Sequence, residues 1–465
     1  MARADHEKEG AGMARFVTAL VMAALASSAQ AAPAPSAQAD RIRALIGNTK
    51  GLDAPGCAIA VLRDSKIQTF VAAGAADIAT GRPLDADTQV YTASVAKQFT
   101  VLAIAQLVVA GKVGLDDDIR KYLPEMPAYR VPVTVAMLIH HTSGVRDMLE
   151  LGTYAGYAIA TDVSRADSLK LVMSQPDTAF TPGTQYRYSN GGYLLLSEIV
   201  ERVSGTPFAD YMKTNIFAPM GMKRTFVLTG ARSADANAAH GYVPEGEGFR
   251  LADTHPLYGG AGGAVFTIND LARYDHDFNF GHKVWTPAIR KIMLEPGRLT
   301  DGRPANQPDA IYAGGVMLNG GWVQHGGSGE GFKNAVAWLP DRKVAIHALC
   351  NNGAARPDKM VEDIVDLLGG LPTIREAEPT LAGRYASPDL PVFYTLAPEG
   401  KDRLTVTIEP KPGGPGARRT IALTKAADGS FTGKMFKIVP DNDSRGFALG
   451  DDRRRAGLFR FRRVD

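Results

Sequence analysis

Ser94-Val95-Ala96-Lys97, with the apolar run from Phe99 to Val109 behind it, decides how this chain is read. Ser94 and Lys97 are three residues apart, so a helix through them sets both side chains on one face, one turn from each other. Val101, Leu102, Ile104, Ala105, Leu107 and Val108 wrap most of that helix, which predicts a buried helix rather than a surface one. A lysine at the start of a buried helix needs a reason. An unpaired ammonium in apolar surroundings is costly and tends to lose its proton. A neutral amine beside a hydroxyl is what nucleophilic catalysis by serine requires. Taken alone, the same four residues also read as an N-cap serine followed by a surface lysine. The catalytic reading therefore needs partners elsewhere in the chain.

The composition suits a soluble globular protein, with 45% hydrophobic and 22% charged residues and a formal net charge of +3. That balance is too slight to point to nucleic acid. Two cysteines exclude a disulfide scaffold, and neither they nor the nine histidines fall in metal-ligand spacing. At the N-terminus, residues 13–31 read as a signal peptide: a short basic start, an apolar core from Phe16 to Leu25, and the small-residue site Ala29-Gln30-Ala31. The polar residues ahead of it suggest Met13 as the initiator. The apolar core is too short to span a bilayer comfortably. Residues 32–39, rich in Ala, Pro and Ser, read as a tether, and the expected destination is the periplasm or the medium.

Residues 40–50 predict a short helix, and residues 57–62 and 67–73 a hairpin. Helical spacing recurs over residues 134–140, 164–174, 192–204, 210–217, 268–274, 286–293 and 360–368. Residues 311–318, 322–324, 332–339 and 344–349 read as strands. Strands at both ends of the segment and helices between them predict one antiparallel sheet flanked by helices, with a mostly helical subdomain, over residues 40–370. Asp116-Asp117-Asp118 reads as a helix cap and solvated turn, not a calcium loop. His140 and His141 read as helix-terminal residues that help satisfy the last carbonyls. The Gly- and Ala-rich residues 259–263 allow close backbone approach. Residues 371–379 are a linker by composition. Residues 380–465 alternate short β-rich runs with Gly, Pro and Asp turns, which predicts a small antiparallel barrel or sandwich. Arg453-Arg454-Arg455 reads as a solvated turn.

Three motifs recur in a set order: Ser94-x-x-Lys97, Tyr188-x-Asn190 and His325-Gly326-Gly327. Their order and spacing resemble the penicillin-recognising serine hydrolases, among them class C β-lactamases, D,D-carboxypeptidases, D-aminopeptidases, D-amino acid amidases and related carboxylesterases. His141-Thr142-Ser143-Gly144, Met220-Gly221-Met222 before Thr225, and Gly262-Gly263 before Asp270-Leu271-Ala272-Arg273 are similar to accessory signatures there. The resemblance covers residues 40–370 and implies a β-lactamase/transpeptidase-like α/β fold. A lipocalin-like C-terminal barrel also occurs in several such hydrolases.

The resemblance implies the roles that follow. Ser94 attacks a carbonyl and forms an acyl-enzyme. Lys97 either takes the proton or keeps Tyr188 able to take it, and Lys97 with His325 would lower the phenol's pKa. Tyr188 protonates the leaving group. Asn190 binds the acyl-side amide and holds Lys97. Gly327 and Ser328 line the substrate strand, and the backbone N–H groups of Ser94 and Ser328 form the oxyanion hole. No metal or cofactor is implied. Histidine at 325 looks like the D,D-peptidases and D-aminopeptidases, whereas most class C β-lactamases carry Lys-Thr-Gly. Gly326 also lacks the threonine hydroxyl that commonly grips a substrate carboxylate. A peptidase, amidase or esterase acting on a small molecule or short peptide therefore ranks first. A class C-like β-lactamase is second. A relict protein whose C-terminal domain contacts cell-wall peptide or a partner is third. In folds of this family the strands of Cys57 and Cys350 are antiparallel neighbours, which makes a bridge chemically accessible after export. The reading preferred for the two is a pair of small buried hydrophobes.

Overall fold

The computed structural model describes residues 37–47, 51–157, 164–230, 235, 237–253, 259–307, 310–374, 381–388, 390–399, 402–412, 417–426, 430–433, 436–440, 446–450 and 459–464. The expected signal peptide, most of the tether and Arg453-Arg454-Arg455 lie outside the described residues.

The central sheet has eight antiparallel strands. They are β1 (Cys57–Arg63), β2 (Lys66–Ala73), β3 (Asn306–Gln307), β4 (Ala310–Tyr312), β5 (Met317–Asn319), β6 (Trp322–Ser328), β7 (Lys333–Leu339) and β8 (Val344–Cys350). Their spatial order is β3-β4-β5-β6-β7-β8-β1-β2, so the N-terminal hairpin joins the sheet against the last strand of the C-terminal block. The expected single strand over 311–318 is two short strands. Gly315, at φ +75°, lies so close to α2 (Lys97–Val109) that an added Cβ would stand 2.7 Å from the Gln98 backbone. A turn there, rather than a straight strand, lets the chain pass the helix.

Alternation along β1 and β8 separates two cores. Ala58, Ala60 and Leu62 face the helical block with Val336, Trp338, Ala345 and Leu349. Cys57, Ile59 and Val61 face the other way, with Ala335, Ile346 and Ala348, under α1 (Ala37–Leu45) and the C-terminal helix Pro357–Leu368. Both β1 and β8 are therefore buried on two faces, which explains their unbroken apolar runs. On the helical side, α2 is buried all round from Lys97 to Ala105. Against it pack α6 (Asn190–Ser204) and the helix Pro287–Leu294, and α3 (Val135–Ile139), α4 (Met148–Tyr154) and α5 (Arg165–Met173) pack in turn on α6. The segment after Gly369 returns to the first domain: Trp322 Nε1 donates to Pro372 O at 2.9 Å and Ile374 is buried in the second core.

The C-terminal strands close into an eight-stranded antiparallel barrel. It begins at Gly383–Ala386, ends at Phe459–Arg463, and closes through the pairing of Tyr385 with Arg463. Tyr385, Tyr394, Leu404, Val406, Phe447 and Phe461 fill the interior, so it is a packed core and not an open lumen. Two strands, Gly383–Ala386 and Val392–Glu399, were not expected from the sequence. Pro391 and Pro398 punctuate that region and conceal its alternation.

Cys57 and Cys350 are direct register partners on β1 and β8, with Cα atoms 4.0 Å apart, and they form a disulfide. The preferred reading of two free thiols is thereby corrected. The cause is register, because a direct pair brings the sulfurs into reach where a diagonal one would not. The bridge joins residues 293 apart, and removing it should cost on the order of 5 kcal/mol in the chain-entropy limit and less in practice. Thiol titration of unfolded, unreduced protein should find no free thiol, and a Cys57→Ala/Cys350→Ala double variant should melt several degrees lower. Two titratable thiols per chain would contradict the bridge.

Candidate active site

Ser94 sits in a single 3-10 turn, Ala93–Ala96, that runs directly into α2. Ala93 adopts φ +48°, a costly left-handed conformation for a residue with a Cβ, and it redirects the chain from extended to helical. Thr92 fixes the approach, since both its backbone N–H and its hydroxyl donate to Ala264 O at 3.1 Å. Beyond it, Val90–Tyr91 pairs with Ala264–Phe266 in a small separate sheet. From the other side β6 passes so close that a Cβ on Gly327 would stand 2.0 Å from Thr92 O. Only glycine lets the third motif lie against the turn that carries Ser94.

Lys97 is fully buried. Its Nζ lies 3.1 Å from Ser94 Oγ, 2.8 Å from Asn190 Oδ1 and 2.5 Å from Ala261 O. Burial pulls its pKa down to about 7, against a smaller opposing effect of the Asp147 carboxylate. The contacts fix the direction of the lone pair. Asn190 Oδ1 and Ala261 O can only accept, so a neutral amine spends its two N–H bonds on them. The lone pair is then left facing the Ser94 hydroxyl. The Gly259–Gly263 segment supplies the Ala261 carbonyl by packing directly on α2, where Thr100 Oγ1 donates to Gly260 O at 2.8 Å.

Asn190 opens α6, with Ser189 as N-cap accepting from Gly192 N–H at 3.2 Å. Tyr188, two residues earlier, is half-buried, lines the same cleft as Ser94, and has its ring 4.8 Å from Lys97 Nζ. Burial pushes its phenol far above the ordinary tyrosine range, with only the Ser94 contact opposing.

His325 lies on β6 just past Gln324, the last β6 residue paired with β5. From His325 to Ser328 only β7 is paired, so this part of a strand interior to the sheet keeps one edge free of a strand partner. His325 Nδ1 donates to Gly326 O at 2.5 Å, which leaves Nε2 to accept from Tyr312 O–H at 3.1 Å. Burial lowers its pKa to about 4. The imidazole is therefore neutral at physiological pH and supplies no charge to acidify Tyr188. That corrects the expectation that Lys97 and His325 together lower the phenol. Desolvation outweighs both neighbours.

An open cleft of about 570 Å³ joins Ser94, Tyr188, His325, Gly327 and Ser328 to the start of the C-terminal helix at Arg356. Ser328 Oγ accepts from Lys333 Nζ at 2.7 Å. Two participants were missed by sequence reasoning. His141, read as a helix-terminal residue, does follow the end of α3, but at φ +57° it turns inward, packs with its ring 4.2 Å from the Tyr188 ring, and accepts the Ser189 N–H on Nδ1 at 3.1 Å. The His-Thr-Ser-Gly signature was its available signal. Asp147, a loop residue with no motif of its own, binds Asn190.

A buried lysine amine 3.1 Å from a serine hydroxyl, at the root of a buried helix and on an open cleft, is an arrangement able to activate that serine as a nucleophile. The model of the family Beta-lactamase matches residues 42–370, and the chain belongs to that family. A D-aminopeptidase of Cereibacter sphaeroides is 28% identical over 306 residues, which cover 65% of this chain and 57% of that enzyme. This chain thus spans little more than half the length of that relative. A D-aminopeptidase of Brucella ovis is 26% identical over 382 residues, covering 78% of this chain and 69% of the enzyme. The octameric penicillin-binding protein homologue from Pyrococcus abyssi is similar in fold, with a TM-score of 0.60 at 22% identity over 88% of this chain and 96% of that one.

The neutral histidines make the fold acid-sensitive. His325 keeps its proton off down to about pH 4, whereas in the unfolded chain it binds one near its ordinary value. Between about pH 6.5 and 4 the unfolded state holds more protons, so stability falls as pH falls, by on the order of 3 kcal/mol for His325 alone. His141, held well below the usual range, adds in the same direction. Melting temperature against pH should drop over that window, and His325→Gln should flatten the slope. An equal slope in that variant would refute the assignment.

Proposed function

We propose that the protein hydrolyses amide or ester bonds of small acyl or D-amino-acid-containing peptide substrates through an acyl-enzyme on Ser94. The observation that carries this reading is the buried Lys97 amine, 3.1 Å from Ser94 Oγ and with its pKa brought to about 7. At neutral pH a substantial fraction of the amine is free to act as base, close to the optimum for proton transfer. The Ser94 proton passes to Lys97 Nζ as Oγ bonds to the carbonyl carbon. The oxyanion is held by the backbone N–H groups of Ser94 and Ser328. As the intermediate collapses, Tyr188 gives its proton to the departing nitrogen or oxygen and regains one from Lys97. Water then repeats the sequence on the acyl-enzyme. Tyr188 is a neutral proton carrier in this scheme, because burial makes its phenolate inaccessible. Asn190 orients the acyl-side amide, and His325 shapes the strand edge without titrating.

The D-aminopeptidase relatives and the His325-Gly326-Gly327 motif favour D-configured amide substrates over penicillins. The family match keeps class C-like β-lactam hydrolysis as the second reading. We assign residues 40–370 to the hydrolase domain, 371–379 to a linker and 380–465 to a barrel that modulates access. The Cys57–Cys350 bridge supports export to an oxidising compartment through the signal peptide at 13–31.

A panel of p-nitrophenyl esters, D-aminoacyl anilides, a D-Ala-D-Ala peptide and nitrocefin separates these substrates. Ser94→Ala should abolish turnover and labelling by a fluorophosphonate probe, and unchanged turnover would end the serine-hydrolase reading. Tyr188→Phe should lose most of kcat while keeping its fold. For the wild type, kcat/KM should rise with pH through about 7, as the Lys97 amine loses its proton. A profile flat across that range would remove Lys97 as the base.

A further inference from the structure

We propose that Asp147 is a positioning residue for hydrolysis: by locking the Asn190 side-chain amide in one orientation, it aims the Lys97 lone pair at Ser94. This rests on the Ser94–Lys97 reading above.

The carboxylate is fully engaged, and only by N–H donors. Oδ2 accepts the Asn190 backbone N–H at 2.6 Å and Asn190 Nδ2 at 3.0 Å. Oδ1 accepts the N–H groups of Leu149 at 2.8 Å and Glu150 at 3.3 Å, capping α4. The close approach of the two loops depends on Gly191, where a Cβ would stand 2.5 Å from Arg146 O. No cation pairs with Asp147 among the described residues, since neighbouring Arg146 turns to Asp177 at 2.6 Å.

An amide can be turned either way, and here the consequences differ sharply. With Nδ2 on Asp147, Oδ1 meets Lys97 Nζ at 2.8 Å and takes one of its N–H bonds. With the amide reversed, Nδ2 would face the amine and compete for its lone pair, the electrons meant for the Ser94 proton. A carboxylate accepts but never donates when ionised, so Asp147 excludes the reversed state.

Asp147 is also the one formal charge acting on the amine among the groups that face it. Tyr188 and Tyr193 present their rings 4.8 and 5.4 Å from Nζ. His141 and His325 are held neutral by burial, and both in turn feel Lys97. On its own side Asp147 has the Arg146–Asp177 pair, Glu150 and the neutral Tyr188. Its negative charge favours the protonated amine and opposes the desolvation of Lys97.

The test compares Asp147→Ser, which retains a capping side chain for α4, with Asp147→Asn and Asp147→Glu. The readout is kcat/KM for p-nitrophenyl acetate from about pH 5 to about pH 9. In the Ser and Asn variants the acidic limb should move to lower pH by roughly one unit, as the charge is lost. Plateau kcat should fall roughly tenfold or more, as the amide is freed. Asp147→Glu should keep the wild-type midpoint. A merely structural residue would lower the plateau and leave the midpoint in place. That result, or failure of both neutral variants to fold by circular dichroism, overturns the proposal. Ser94→Ala, run alongside, keeps the readings apart. Turnover surviving in it defeats the serine mechanism, whereas an inactive Ser94→Ala with unmoved midpoints defeats only the role of Asp147.

Discussion

Everything around the cleft depends on one buried amine. Lys97 has no carboxylate in contact, only a hydroxyl, an amide oxygen and a backbone carbonyl. Neutral acceptors solvate an ammonium without neutralising it, so the charged form survives near pH 7 but is not strongly preferred. A direct ion pair would have held the proton, and a wholly apolar pocket would have excluded it. The intermediate case requires three segments distant in sequence to meet at one nitrogen. That requirement accounts for the strained Ala93, the glycines of 259–263 and the entry of α6.

The sheet meets this requirement by bringing both ends of the hydrolase segment together. β1 lies against β8, and β7 reaches the turn before Ser94 through Asn334 Nδ2, which donates to Tyr91 O at 3.1 Å. Gly327 keeps β6 against Thr92 from the same side. The disulfide crosses β1 to β8 at their outer ends, on the face away from the helical block. It therefore reinforces the scaffold without entering the chemistry.

What could be read beforehand follows periodicity and motif order. The apolar wrap of α2 foretold burial of Lys97, and the hairpins over 57–73 and 332–349 stood out by alternation and turn residues. Tyr188, Asn190 and His325 were singled out by the type and order of their motifs, and the fold brings them to Ser94 and Lys97. Asp147 and the Ala261 carbonyl left no such trace, and His141 only its His-Thr-Ser-Gly signature. They act from turns, where a left-handed backbone or a single carboxylate has no repeating signal. The strands Val90–Tyr91 and Phe226–Val227 are two residues long, too short for any period to appear. Charge reasoning from sequence erred on Tyr188 because it counted neighbouring cations and could not weigh desolvation.

That error bears on how the proton is moved. A tyrosine base needs cations that outweigh its burial, and here one neighbour is neutral and the other only partly charged at neutral pH. The same aromatic packing that raises Tyr188 also keeps His141 and His325 unprotonated, through ring contacts shared with Tyr193 and Tyr312. Burial thus suppresses ionisation of Tyr188, His141 and His325, whereas Lys97 keeps part of its charge with three oxygens at hand. In the proposed mechanism the division of labour follows from solvation: the amine would exchange a proton near neutrality, and the phenol would pass one on without becoming an anion.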